Sequence, residues 1–202
     1  MTQERPSPRQ AALLGVRRQV VIDAARRVFD RQGLDATTMR GIAAEAGCTT
    51  GAIYPFFRGK EELYAAVLGQ SLDGLRQSVE DAMAQVDEPR EQARAGLAAF
   101  HAYYADNPGD LALGLYLFGG VRPAGLPDPS ANRELNGKLM AISGMIEKAL
   151  HDGGEADPRA RVAAAIAQAV GLVILEGSGR LSLFGQSGPG LMAAYLATWP
   201  GR

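Results

Sequence analysis

The sequence predicts an all-α protein: a small three-helix head followed by a larger helical body, about nine helices in all. Three observations carry that prediction. Apolar residues recur at i, i+3, i+4 and i+7 through most of the chain. Helix-stopping and helix-starting residues, namely Gly33, Gly47, Asp87-Glu88-Pro89, Asn107-Pro108-Gly109 and Pro158, punctuate that pattern. A hydrophobic content of 47% over 202 residues supplies enough material for a sizeable core.

Residues 1–12, MTQERPSPRQAA, contain two prolines and little apolar content, which predicts a flexible basic arm. Arg5 and Arg9 either reach a minor groove from it or belong to an ordinary frayed terminus. The head is placed at 13–60. Its first helix is expected over about 16–32, with Val21, Ala24, Ala25, Val28 and Phe29 on one face, the arginines largely elsewhere, and Gly33 closing it.

Thr37 and Thr38 precede Met39, Ile42, Ala43 and Ala46, so a hydroxyl caps a short amphipathic second helix. Gly47 provides its left-handed exit, and Cys48, read as a small buried residue at the turn, leads into Thr49, a cap for a third helix. Pro55 disfavours helical geometry at Tyr54, so the third helix should end there. Phe29 and Leu34 are expected beneath Ile42, Ile53 and Phe57 as a small core.

The body is placed at 61–202. Its first helix starts at Gly59-Lys60, with Glu61 and Glu62 favouring the positive end of the helix dipole, and runs to about residue 86. Gly69 and Gly74 inside it cost roughly 1 kcal/mol each relative to Ala, which reflects either pliability or close packing. A helix over 89–106 follows, then Asp110 as the cap of a sixth helix, and a Gly/Pro-rich loop at 119–131. A seventh helix is read at 131–152. The stretch 158–184 is so apolar and alanine-rich that it should be buried nearly all round, and 189–199 is similar. Two such helices fit a symmetric helix-on-helix homodimer interface, with burial inside the monomer as the competing reading.

Charge divides along the chain. Residues 1–60 carry ten Lys or Arg against five acids, and residues 61–202 carry 11 against 17. A basic head on an acidic body suits a protein whose head alone meets a polyanion. One cysteine excludes an internal disulfide and suits a reducing compartment. With no basic-then-apolar leader and no charge-free run of membrane-spanning length, the chain is expected in the cytoplasm, without a membrane partner.

No catalytic constellation emerges, so the reading is not an enzyme, with no cofactor and no metal. His101 and His151 stand fifty residues apart, with Cys48 far from both. Gly177-Ser178-Gly179 lacks the spacing of a nucleophile elbow, and Gly119-Gly120 and Gly153-Gly154 lack that of a phosphate loop. Bulky groups concentrate in the body, making Phe100, His101, Tyr103, Tyr104, Leu113, Tyr116, Leu117 and Met140 candidates for a small-molecule pocket. His101 is either a polar anchor there or a core histidine satisfied by neighbours. Glu176, alone in its apolar helix, meets a ligand, a dimer partner or solvent.

Two capped helices three residues apart describe a helix-turn-helix, whose second helix can lie in a DNA major groove with its N-terminal residues at base edges. Thr49, Thr50, Gly51 and Ala52 occupy those positions. The run T-T-M-R-x-I-A-x-x-A-G, then T-x-G-x-I-Y-x-x-F-x-x-K-E-x-L, resembles the DNA-binding domain of TetR-family transcriptional regulators. The resemblance is specific over Leu34 to Leu63. It implies phosphate contacts from Tyr54, Lys60, Thr37 and Thr38, base approach by Thr49 to Ala52, and places Arg40 on the same DNA face. At Pro55 and Phe56, where the family usually has an aromatic or histidine, the polar phosphate contacts that the resemblance implies are missing. The resemblance further implies a homodimer on a double-stranded operator, a repressor released by a small apolar or aromatic effector. A constitutive helical DNA-binding or protein-interaction module without a ligand is the alternative.

Overall fold

The computed structural model describes residues 7–118 and 129–199, with the side chains of 116–118 also outside that description. Among the described residues the chain is helical without strands: α1 (Pro8–Gln32), α2 (Met39–Glu45), α3 (Thr50–Ile53), α4 (Lys60–Met83), α5 (Pro89–Asp106), α6 (Pro108–Phe118), α7 (Pro129–Asp152), α8 (Pro158–Gly177), a single 3-10 turn (Leu181–Phe184) and α9 (Gly188–Ala197).

The head is a three-helix unit closed from below by α4. Phe29, Ile42, Ile53 and Phe57 are buried together, as the periodicity predicts. Leu63 and Tyr64 of α4 complete the same core: the Tyr64 ring meets Phe29 edge-on at 4.7 Å, and its hydroxyl donates to the Leu34 carbonyl at 2.7 Å. On the outside, Glu45 of α2 receives Arg27 (2.6 Å) and Arg31 of α1, tying the first two helices together.

α1 begins at Pro8, well before the expected start near Val16, so residues 8–12 are helix and not arm. The cause is local. Ser7 accepts from the Gln10 amide while the Gln10 side chain accepts from the Ser7 amide, a reciprocal cap with proline at the first helical position. Arg5 lies outside the described residues. The expected loop at 119–131 also lies mostly outside them; its last three residues begin α7.

In the body, α4 packs against α5, α7 packs on both, α8 packs on α5 and α7, and α6 touches α4, α5 and α8. Gly74 settles the choice between pliability and packing, because a Cβ there would stand 2.8 Å from the Tyr103 hydroxyl oxygen. Asp110 does not cap α6: its carboxylate, 5% exposed, is bound by Arg26 of α1.

α8 departs most from expectation. Its inner face (Val162, Ala165, Ala169, Leu172, Val173) is buried, but Ala163, Ala164, Ala167, Ile174 and Leu175 are exposed. Only 28% of its apolar stretch is buried, where nearly complete burial was expected. By length and composition this helix is also apolar enough to cross a membrane, with a mean hydropathy of 1.5, although Arg161 and Glu176 bound its charge-free run. Alanine explains both, since small apolar side chains raise hydropathy whichever way they face.

Candidate nucleic-acid interface

The turn between α2 and α3 is built as the sequence suggests. Thr38 is the N-cap of α2, its hydroxyl accepting from the Gly41 amide at 3.1 Å. Gly47 has φ +66°, the left-handed geometry glycine adopts without strain. Thr49 occupies the N-cap of α3 in extended conformation, yet its side chain makes no capping hydrogen bond. α3 ends at Ile53, one turn long, before Tyr54 and Pro55.

Around this short helix Thr49, Gly51, Ala52 and Tyr54 are exposed, Tyr54 at 53%, and Thr50 is half-buried. Arg40 and Thr38 are exposed on α2 and its cap, and Lys60 sits half-buried at the start of α4 with its ammonium 5.9 Å from the Tyr64 ring centre. The exposed set therefore offers hydroxyls, a phenol, a guanidinium and an ammonium, all donors to phosphate oxygen. Thr37 stands apart: it is 2% exposed, and its hydroxyl donates to the Gly33 carbonyl at 2.7 Å, so it braces the α1–α2 connection. Cys48 is half-buried at the turn. Arg18 was not singled out by sequence; its guanidinium lies 4.9 Å from the Phe57 ring centre, over the floor of the head.

A cavity of about 220 Å³ lies in the body between α4, α5, α6, α7 and α8. Its wall pairs residues one helical turn apart: Leu68 with Leu72, Phe100 with Tyr104, Leu111 with Leu115, Leu135 with Leu139, and Ile166 with Val170, joined by Gly114 and Asn136. Of the pocket candidates, Phe100 and Tyr104 are on this wall, while Leu113 is buried elsewhere and Met140 is 51% exposed. The side chains of Tyr116 and Leu117 lie outside the described residues.

Tyr103 turns its hydroxyl away, donating to the Ser71 carbonyl at 2.9 Å, and burial raises its pKa. His101, 4% exposed, lies against the start of α9, beside Gly188 and Glu176, and not on the cavity wall. Burial lowers its pKa, opposed by the nearby Glu176 carboxylate. Glu176 itself accepts from the Gly188 amide and so fastens α9 to the end of α8. A wider groove of about 720 Å³ opens between α1, the start of α4 and the start of α7. It is a trough of mixed charge, with Arg18, Arg58 and Lys138 beside Glu61, Glu62, Asp73 and Glu134, and so differs in chemistry from the apolar smaller cavity.

A three-helix head presenting a short exposed helix, set on an all-helical body, defines the class of helix-turn-helix proteins. Residues 21–67 match the family described as bacterial regulatory proteins, tetR family, a match that spans the head and the start of α4. Among curated relatives it is 35% identical over 77 residues to the uncharacterized HTH-type transcriptional regulator YfiR of Bacillus subtilis, covering 38% of this chain and 34% of that protein. It is 39% identical over 80 residues to the HTH-type transcriptional regulator BetI of Rhizobium meliloti, covering 40% and 39%. The matches thus span little more than a third of these relatives' lengths.

The whole fold resembles the TetR-family regulator PfmR of Thermus thermophilus (TM-score 0.68, 18% identity, 98% and 99% of the two chains). It also resembles the fatty acid degradation regulator FadR of Bacillus halodurans (TM-score 0.69, 15% identity, 98% and 100%). These relatives are regulators, not enzymes.

Proposed function

We propose that the chain is a transcriptional regulator that binds an operator through α3 as a homodimer and is released by a small apolar molecule held in the body. The observation that carries the DNA reading is Thr49: an N-cap residue whose hydroxyl is not spent on capping, standing beside exposed Gly51 and Ala52 at the leading end of a one-turn helix. Thr49, Thr50, Gly51 and Ala52 approach base edges, while Tyr54, Lys60, Arg40 and Thr38 hold phosphates.

The dimer reading rests on the exposed apolar half of α8, which in water needs a partner and which a second copy's α8 and α9 would cover by two-fold symmetry. The ligand reading rests on the apolar cavity and on one relative, the nicotine-responsive transcriptional repressor HdnoR of Paenarthrobacter nicotinovorans. Another relative, FasR of Mycolicibacterium smegmatis, is a transcriptional activator. Release would be a population shift: ligand fits best a state in which the two heads are spaced wrongly for major grooves roughly 34 Å apart.

The test is a titration of the full chain against a palindromic duplex from its own upstream region and against a random duplex, with salt varied and sedimentation run in parallel. A dimer that binds the palindrome tightly, with a steep salt slope, is the expected result. Equal binding to both duplexes, or a monomer at micromolar concentration, overturns the reading.

A further inference from the structure

The cavity between α4 and α8 has a chemistry that its volume alone does not convey. No charged side chain among the described residues lines it. Five helices each give it an i, i+4 pair of apolar or aromatic side chains, so hydrocarbon makes up most of the described wall, with the Tyr104 hydroxyl and the Asn136 amide as its polar side-chain groups. At about 220 Å³ it is smaller than the roughly 300–1,000 Å³ of drug-sized sites, so the occupant is compact.

One polar group on this wall is placed to select. Tyr104 is only 6% exposed, yet its hydroxyl has no hydrogen-bond partner among the described residues. Its ring cannot turn freely, being held edge-on by Phe100 at 5.2 Å and by Tyr103 at 5.6 Å. The neighbouring phenol of Tyr103 is already committed to the Ser71 carbonyl. Burial holds the Tyr104 pKa well above its ordinary value, so the group remains a donor at any working pH. A hydroxyl that no described protein group engages is available to donate to an incoming acceptor.

Resting on the reading that this cavity holds the effector, we propose that it selects a compact uncharged hydrocarbon bearing a single hydrogen-bond acceptor, to which the Tyr104 hydroxyl donates. A carboxylate of the same shape is rejected, because it would lose its hydration with no described cation to meet it.

Three isosteric probes test this by calorimetric titration of the full chain: p-cymene, 4-methylacetophenone and 4-methylbenzoate. The ketone should bind about threefold to tenfold more tightly than the hydrocarbon, the span of one neutral hydrogen bond. The benzoate should be at least about tenfold weaker than the ketone. Tyr104→Phe should erase the ketone's advantage while leaving p-cymene within about twofold. Benzoate binding equal to the ketone's, or a ketone advantage that survives Tyr104→Phe, overturns the proposal while leaving the cavity reading intact.

Gly114→Leu separates the two readings. A Cβ at Gly114 stands an ordinary 3.8 Å from Leu68 Cδ1, so leucine there fills the void without a backbone clash. If no probe binds the wild-type chain, or all bind Gly114→Leu equally well, the cavity is not an effector site and both readings fall.

Discussion

Arg26 Nη1 lies 2.5 Å from Oδ1 and 2.7 Å from Oδ2 of Asp110, joining the first helix of the head to the first turn of α6. Arg26 also donates to the Val67 carbonyl on α4 at 3.4 Å, and the Tyr103 hydroxyl comes within 3.5 Å of the same carboxylate. Three helices of the body thus converge on one ion pair with the head.

Asp110 is buried and Arg26 about a third exposed, so the pair lies between the surface and interior regimes. Asp110→Asn should therefore cost about 2 kcal/mol, below the full penalty for breaking a buried pair. Urea unfolding monitored by circular dichroism measures it. A loss under about 0.5 kcal/mol would place the pair among surface ion pairs of little consequence.

On the DNA face, Tyr54→Phe should weaken binding to all duplexes alike, by roughly 0.5–1.5 kcal/mol, since it removes one phosphate hydrogen bond. Thr50→Ala should instead change the order of preference among operator variants. Competition binding with a panel of single-base variants separates the two. If Thr50→Ala lowers affinity for cognate and random duplex equally, Thr50 does not read bases.

Gly74→Ala sets two known effects against each other. Alanine should stabilise a helix by about 1 kcal/mol over glycine, but its Cβ would meet the Tyr103 oxygen at 2.8 Å, and overpacking costs about 1–3 kcal/mol. The net is a loss of about 1 kcal/mol, and adding Tyr103→Phe should recover part of it by removing the obstructing atom. A double-mutant cycle in thermal unfolding reports the coupling; strict additivity would mean the contact is not felt.

Glu45 gives a pH signature. Hydrogen bonds from Arg31 and then Arg27 hold its carboxyl at about 2, below the reference value of 4.5. A depressed carboxyl contributes stability that is present above the unfolded value and lost as pH falls through the folded one, so the window here is from 4.5 down to about 2. The difference in Tm between wild type and Glu45→Gln should be constant above that window and close within it. A constant difference down to pH 2 would dissociate Glu45 from the α1–α2 tether.

Much of this architecture is legible in the sequence, and the exceptions share a cause. α5 spans the predicted residues because proline at its start and Asn107-Pro108 at its end act locally. The α2–α3 turn is likewise local, with Gly47 and the flanking threonines defining it. Asp110 illustrates the opposite case: adjacent to a helix start it reads as a cap, and only the fold brings it against Arg26, eighty-four positions away. Thr37 and Thr38 look equivalent in sequence, and tertiary packing buries one and exposes the other.

Periodicity tells an apolar face from a polar one but not a core from an interface, which is why α8 looked fully buried. Aromatic residues point to the body as the place for a cavity, yet most of the cavity's wall is aliphatic. Pairs such as Leu68 and Leu72 or Ile166 and Val170 were visible as i, i+4 repeats, but every packed helix has such repeats, and nothing local marks the ones facing a void.

The sharing of Leu63 and Tyr64 between head and body has a mechanical meaning. Since the floor of the head is itself part of α4, no hinge separates them, and the head must follow whatever that helix does. At 24 residues α4 is about 36 Å long, so a tilt of about three degrees at one end carries the other through roughly 2 Å. The cavity's Leu68 and Leu72 stand between about a third and a half of the way along that helix from its head end, so cavity wall and head share one beam.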